Sequence, residues 1–267
     1  EEAGLDVTIE PGGPNVNPVQ LLASGDAQFG MGQSDVVINA RGSGIPVVGL
    51  AGIFQKTPIG LLFHKGQDIK DFPDINGRTV YIPTTSVYWP MMKEKYGLDK
   101  VQEMNYESSM VGFMNDETAV SHGYITNAPD LLAKQGIEVE WLYVHDSGYQ
   151  PYATTIYTTE KMIREQPEVV DAFVKATIRG WEYYIDHYEE INPFIQEFNP
   201  DLNLDEMNAT AKAMREFILT LEALEYGIGY MTEERWAAMR DFLIDTGVID
   251  VREETSAMFT IEFLPKK

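Results

Sequence analysis

The sequence predicts an α/β fold: an open, largely parallel sheet followed by a mostly helical C-terminal stretch. Two patterns and one bulk property support this. Up to about residue 157, short apolar or β-branched runs alternate with short helical patterns punctuated by glycine. From Thr159 on, apolar residues recur at helical spacing. The chain has 267 residues, 44% of them hydrophobic, with 14 prolines and 22 glycines, which suffices for one large or two modest domains.

The elements follow in order. Leu5 to Ile9 reads as a strand, so the chain opens with architecture already under way, as a processed or truncated product would. Gly12-Gly-Pro-Asn15 is a turn, and Pro18 to Ala23 a short helix ending at Gly25. Phe29-Gly-Met31 reads as a buried strand. Ser34 or Asp35 caps a helix from Val36 to Arg41, stopped by Gly42 and Gly44. Val47 to Ile53, Ile59 to His64 and Thr79 to Ile82 are strands, and Asp71 to Ile75 is a helical turn. A short helix stopped by Gly136 precedes a strand containing Val139, Trp141, Tyr143 and Val144. Met162, Val169, Val170, Phe173, Val174, Ile178, Trp181, Tyr184 and Ile185 mark one helical face. Further helices run from Asp205 to Leu224 and from Glu233 to Thr246. Trp141, Trp181 and Trp236 lie on apolar faces and read as core.

Composition excludes whole classes of chemistry. The net charge of −22 opposes nucleic acid or an anionic membrane, because phosphate binding needs a basic face. Without cysteine there is no disulfide, thiolate metal site or cysteine nucleophile. His64, His122, His145 and His187 stand at no ligand spacing, no Asp-x-Asp-x-Asp-Gly loop occurs, and no metal or other cofactor is expected. Gly-x-Ser-x-Gly is absent and no catalytic residue is assigned. No apolar run reaches the length of a membrane span.

Five loops after strands are rich in aromatics and uncharged hydrogen-bonding groups. They are Gly32 to Asp35, Phe54 to Pro58, Thr84 to Pro90, Tyr124 to Asn127 and Asp146 to Tyr152. Ligands of open α/β sheets bind beyond the carboxyl ends of strands. Aromatic faces stack on rings while amides and hydroxyls read ring edges, so five such loops imply a pocket for a flat, polar, aromatic solute. Ser34 and Ser86 also fit helix caps, Trp89 with Pro90 fits a helix start, and Tyr149 with Tyr152 fits packing between domains.

A family resemblance rests on ordered strings along nearly the whole chain. They include Gly25-Asp-Ala-Gln-Phe-Gly30, Asn39-Ala-Arg41, Ile53-Phe-Gln-Lys-Thr-Pro58, Gly77-Arg-Thr-Val80, Gly123-Tyr-Ile-Thr-Asn127 with Pro129, Ala176-Thr-Ile-Arg-Gly-Trp-Glu182 and Gly229-Tyr-Met231. In these the chain resembles the solute-binding proteins that deliver thiamine pyrimidine precursors to ABC importers. That group also includes riboflavin-binding relatives and yeast hydroxymethylpyrimidine synthase. The resemblance implies a type II periplasmic-binding-protein fold of two lobes, residues 1–66 with 153–267 and residues 67–152. Ile59–His64 and Ala153–Thr158 would be crossover strands, and solute captured between the lobes would favour a closed form. It further implies a monomeric, non-enzymatic protein exported to the periplasm or outer face of the membrane, with or without a lipid anchor, that hands its solute to a membrane permease.

Two departures from the family pattern bear on the ligand. The strand–helix unit with a Trp-x-Pro-Asn type motif, with which relatives begin, is missing. Ala128 stands where many pyrimidine binders carry Glu in Asn-Glu-Pro, which removes an acceptor for an exocyclic amine. Riboflavin or another heteroaromatic is therefore an alternative to the pyrimidine. A pyridoxal-phosphate- and iron-dependent synthase is another, set against the absence of cysteine. The expected ring faces are Phe54, Tyr88, Trp89, Tyr124 and Tyr149. The expected polar contacts are Ser34, Gln55, Thr57, Thr85, Ser86 and Asn127.

Overall fold

A computed structural model describes residues 2–12, 16–84, 86–250 and 253–266. The turn expected at residues 12–15 lies largely outside them, as does Thr85. In chain order the elements are α1 (Pro18–Ser24), β1 (Gly30–Gly32), α2 (Ser34–Gly42), β2 (Val47–Phe54), β3 (Ile59–His64), β4 (Thr79–Ile82), α3 (Tyr88–Tyr96), β5 (Gln102–Asn105), α4 (Val111–Met114) and β6 (Val120–Tyr124). They continue with α5 (Ala128–Lys134), β7 (Val139–Tyr143), β8 (Ala153–Thr159), α6 (Glu160–Glu165), α7 (Pro167–Phe198), α8 (Leu204–Ile218), α9 (Leu221–Tyr226), α10 (Glu233–Asp245) and α11 (Thr255–Met258).

The chain divides into two units. Unit 1 comprises residues 1–57, 150–191 and 214–267, and unit 2 residues 58–149 and 192–213. These limits differ from the lobes expected above for a reason visible in the pairing. β3 is hydrogen-bonded to both β6 and β7, which makes it an interior strand of unit 2. β8 is the central strand of unit 1.

Unit 1 holds a three-stranded sheet of order β1-β8-β2, antiparallel throughout. All eight residues of β2 are buried, as a strand covered on both faces requires. The outer edge of β2 is closed by bridges from Gly229 and Phe259, and Phe259 stacks on Trp236 at 5.2 Å. The Arg41 guanidinium, almost wholly buried, ties α2 to Glu253 at 2.6 Å and to Glu160 at 2.8 Å. Val170, Val174 and Ile178 bury the predicted face of α7.

Leu5 to Ile9 forms no strand, and Val7 and Ile9 are exposed. Period-2 patterning makes a strand only where a partner edge pairs with it, and none of the described strands does so here. Nor does the long helix expected from Asp205 to Leu224 survive. It ends at Ile218, and Thr220 caps α9, its hydroxyl accepting from the Ala223 N–H.

Unit 2 holds a five-stranded sheet of order β5-β4-β6-β3-β7. Only β4–β5 and β4–β6 are parallel, while β3 runs antiparallel to both its neighbours, so the largely parallel sheet expected from strand–helix alternation becomes a mixed one. β3 pairs with β6 and β7, both far along the chain from it, so strand–helix alternation between sequence neighbours does not set its direction. Gly123 in β6 is required by packing, because a Cβ there would clash with the Leu62 side chain and approach Ala128.

Candidate functional site

The centre of unit 2 carries the strongest concentration of chemistry. β6 alternates its side chains, so Val120, His122 and Tyr124 share one face of the sheet. The loop after β4 leads into α3, whose first turn begins with Tyr88, and Tyr106 follows β5. These segments converge on His122. The Tyr88 hydroxyl lies 2.8 Å from His122 Nδ1, and the Tyr106 and Tyr124 rings meet the imidazole edge-on at 5.0 and 5.4 Å. Tyr149 packs on Tyr88 at 5.6 Å.

Electrostatics follow from burial. With 4% of its surface exposed, His122 is disfavoured as a cation, and its pKa falls to about 4. The Tyr88 phenol is pushed well up, first by burial. The cluster is therefore neutral at ordinary pH, suited to an uncharged ring rather than an anion. Two buried polar atoms beside it, Ser86 Oγ and Trp89 Nε1, have no hydrogen-bond partner among the described residues. Orphaned buried polar atoms are uncommon and mark places where a solute or water completes the site.

The predicted residues fall into distinct settings. Tyr88, Trp89 and Tyr149 are buried: the segment read as a loop to Pro90 becomes helix from Tyr88 on, because Pro90 fits the first turn of α3. Of the five expected ring faces only Tyr124 is substantially exposed, at 47%. Asn127 is exposed at the start of α5 and makes no side-chain cap.

Unit 1 treats its predicted residues differently. Ser34 is not a cap: Gln33 occupies that position, and Ser34 Oγ accepts from the Tyr152 N–H at 3.0 Å while the Ser34 N–H donates to the Tyr152 carbonyl. Gln55 donates from Nε2 to the carbonyls of Gly52 and Tyr230 and accepts from Arg235 through Oε1. Arg235 also donates to the Gln55 carbonyl at 2.6 Å and lies 3.8 Å above the Tyr152 ring. The Tyr152 hydroxyl accepts from the Thr232 N–H. Thr57 is fully buried, and Phe54 meets Trp181 edge-on at 6.0 Å. Gln55 and Ser34, expected as solute contacts, thus carry hydrogen bonds within unit 1.

Sequence reading missed His122 and Tyr106. The alternation Val120-x-His122-x-Tyr124 was the available signal, since it puts the imidazole on the same face as a predicted ring. Unit 1 also contains two unforeseen buried atoms near β1, Gln33 Oε1 and the Tyr157 hydroxyl, without partners among the described residues. Among the described residues no group of His, Asp or Glu is placed to hold a metal, and no helix is long and apolar enough to cross a membrane.

The chain is 26% identical over 240 residues to the riboflavin-binding protein RibY of Chloroflexus aurantiacus, covering 86% of this chain and 68% of that protein. It is 29% identical over 198 residues to the formylaminopyrimidine-binding protein of Halalkalibacterium halodurans, covering 71% of this chain and 60% of that one. It is 22% identical over 268 residues to the 4-amino-5-hydroxymethyl-2-methylpyrimidine phosphate synthase of Legionella pneumophila, covering 96% and 81%. The periplasmic aliphatic sulphonate binding protein SsuA of Escherichia coli superposes with a TM-score of 0.67 at 12% identity, covering 90% of this chain and 77% of that one. The fold is therefore that of the periplasmic binding proteins. The family model described as NMT1/THI5 like matches residues 1–191, well over half of the sequence, and the chain belongs to that family.

Proposed function

We propose that this chain is the solute-binding component of an ABC importer, working outside the cytoplasm and capturing a small, uncharged heteroaromatic vitamin or vitamin precursor. The observation that carries this is the neutral aromatic face around His122, with Tyr124 exposed and with unpartnered Ser86 and Trp89 beside it. Tyr124 supplies a ring face, Tyr88, Trp89 and Tyr149 back it, and Asn127 and Ser86 supply polar contacts. The chain binds without transforming its solute and passes it to a membrane permease.

Two solutes fit this reading. A thiamine pyrimidine precursor is in keeping with the formylaminopyrimidine-binding relative. Riboflavin is in keeping with RibY, and with Ala128, which removes the carboxylate that would receive an exocyclic amine. Native mass spectrometry of the purified protein, followed by calorimetric titration with riboflavin and with 4-amino-5-hydroxymethyl-2-methylpyrimidine, tests the proposal. Saturable one-to-one binding of either supports it. Binding of neither, together with turnover of a pyridoxal-phosphate-loaded sample, would overturn it.

A further inference from the structure

Asn76 is the only asparagine of the chain that is followed by glycine. Glycine has no side chain to hinder its own backbone nitrogen when that nitrogen attacks the preceding carboxamide. The pair sits in a tight turn of unit 2, between the helical turn Phe72–Ile75 and β4. Asn76 has φ −61° and ψ 133°, Gly77 has φ 85°, and the Arg78 N–H donates to the Ile75 carbonyl at 3.1 Å, as in a type II turn. A Cβ on Gly77 would meet open space, so the backbone angle and not packing calls for glycine there. Gly77 is exposed, and its N–H has no hydrogen-bond partner among the described residues.

The attacking nitrogen is therefore free, and what restrains the pair is the carboxamide. Asn76 Nδ2 donates to the Gly97 carbonyl at 3.0 Å and to an Asp99 carboxylate oxygen at 3.2 Å, while Oδ1 accepts from the Lys100 N–H at 2.9 Å. One half-buried side chain thus clasps the turn before β4 to the loop that leaves α3. Both polar ends of the amide are used, each with the polarity its partners need.

We propose that Asn76 is a site of spontaneous backbone-assisted deamidation, held in check by this clasp. When the clasp opens, the Gly77 nitrogen attacks Asn76 Cγ. The new C–N bond closes a five-membered succinimide, the Gly77 proton passes to water, and Nδ2 departs as ammonia. A second water then opens the ring at either carbonyl, leaving aspartate or isoaspartate at position 76. Water is the sole co-reactant. The change is one-way for the structure as well as for the chemistry. A carboxylate brings only acceptors to the Gly97 carbonyl and the Asp99 carboxylate, and isoaspartate also lengthens the main chain within the turn. That half of the clasp cannot re-form.

Peptide mapping by mass spectrometry, with the full chain incubated at mildly alkaline pH with and without urea, tests this. Amide-to-acid conversion is expected at residue 76 before any other asparagine in urea. In the folded chain it is expected to be slower by about tenfold or more, because reaction proceeds only from the opened turn. Asp99→Ala, which removes one acceptor of the clasp, should speed the folded reaction several fold and leave the reaction in urea unchanged. Equal rates with and without urea, an unaltered folded rate in Asp99→Ala, or earlier conversion at another asparagine overturns the proposal. Asn76→Asp copies one product and is expected to lower the urea midpoint. Adding Asp99→Asn, which offers the new carboxylate a donor, should recover part of that loss. A midpoint unmoved by Asn76→Asp, or no recovery in the double variant, overturns the claim that the clasp is lost for good.

Discussion

The two units use the same residue types in opposite ways. In unit 1 the aromatic and amide groups near the strand ends are consumed internally: Ser34 clips Tyr152, Gln55 satisfies Gly52, Tyr230 and Arg235, and Arg235 covers the Tyr152 ring. In unit 2 comparable groups gather around an imidazole and leave Ser86 Oγ and Trp89 Nε1 without partners among the described residues. A loop rich in aromatics and carboxamides thus identifies a place where ring faces and hydrogen bonds are concentrated. Whether they serve the protein or a solute is decided by how many partners the surrounding backbone supplies.

This contrast can be broken experimentally. The largest effect is expected from Arg235→Ala in unit 1. It strips acceptors of Gln55 of their donor, at about 1–3 kcal/mol for each buried group, and removes the cation from Tyr152, about 0.5–2 kcal/mol more. Urea denaturation should show a loss of about 3 kcal/mol, with solute affinity at the aromatic face of unit 2 little changed where folded protein remains. A matching fall in affinity would mean that Arg235 belongs to the site.

His122 makes the converse case through pH. Its folded-state pKa of about 4 lies below the ordinary 6.5, so the unfolded chain takes up the proton first as pH falls. The stability it permits is complete above pH 6.5, declines between 6.5 and 4, and levels off below. The gap corresponds to about 3 kcal/mol at acidic pH. His122→Phe should flatten that part of the stability–pH curve, while an unchanged slope would show that the imidazole is solvated after all.

Smaller effects sharpen the comparison. Tyr124→Ala should weaken solute binding about tenfold, near 1.4 kcal/mol, and hardly move the melting temperature, because half of the ring is already in water. Thr154, a β-branched residue held at φ 49° in β8, is strained. Thr154→Gly should therefore stabilise unit 1 by up to about 1 kcal/mol, and a loss of stability would show that its side chain packs better than its backbone suggests.

Much of this was legible in the sequence. Helix stops at Gly25 and Gly136 adopt the left-handed conformation that glycine permits, and strands such as Ile59–His64 and Thr79–Ile82 fall where apolar runs put them. Strand direction was not legible, since alternation of helices and strands does not reveal which strand a given edge selects. Leu5 to Ile9 was misread for the same reason: a pattern of period 2 states a capacity to pair and nothing about the partner. Of the residues proposed for the site, Tyr124 was named from the sequence because it stands beside turn residues. His122 was hidden because a lone histidine in a strand gains meaning only when Tyr88, 34 positions away, is brought to its ring nitrogen.

The closure of β2 by Gly229 and Phe259 has a consequence for synthesis. The sheet and imidazole cluster of unit 2 are drawn from one continuous span, 59–149, and can assemble as soon as that span has left the ribosome. Strand β2 must instead wait for β8, about a hundred residues later, and then for the last forty residues to cover its far edge. During that interval a fully apolar strand stands open. The sheet of unit 2 is thus complete before the sheet of unit 1, although β1 and β2 come first along the chain.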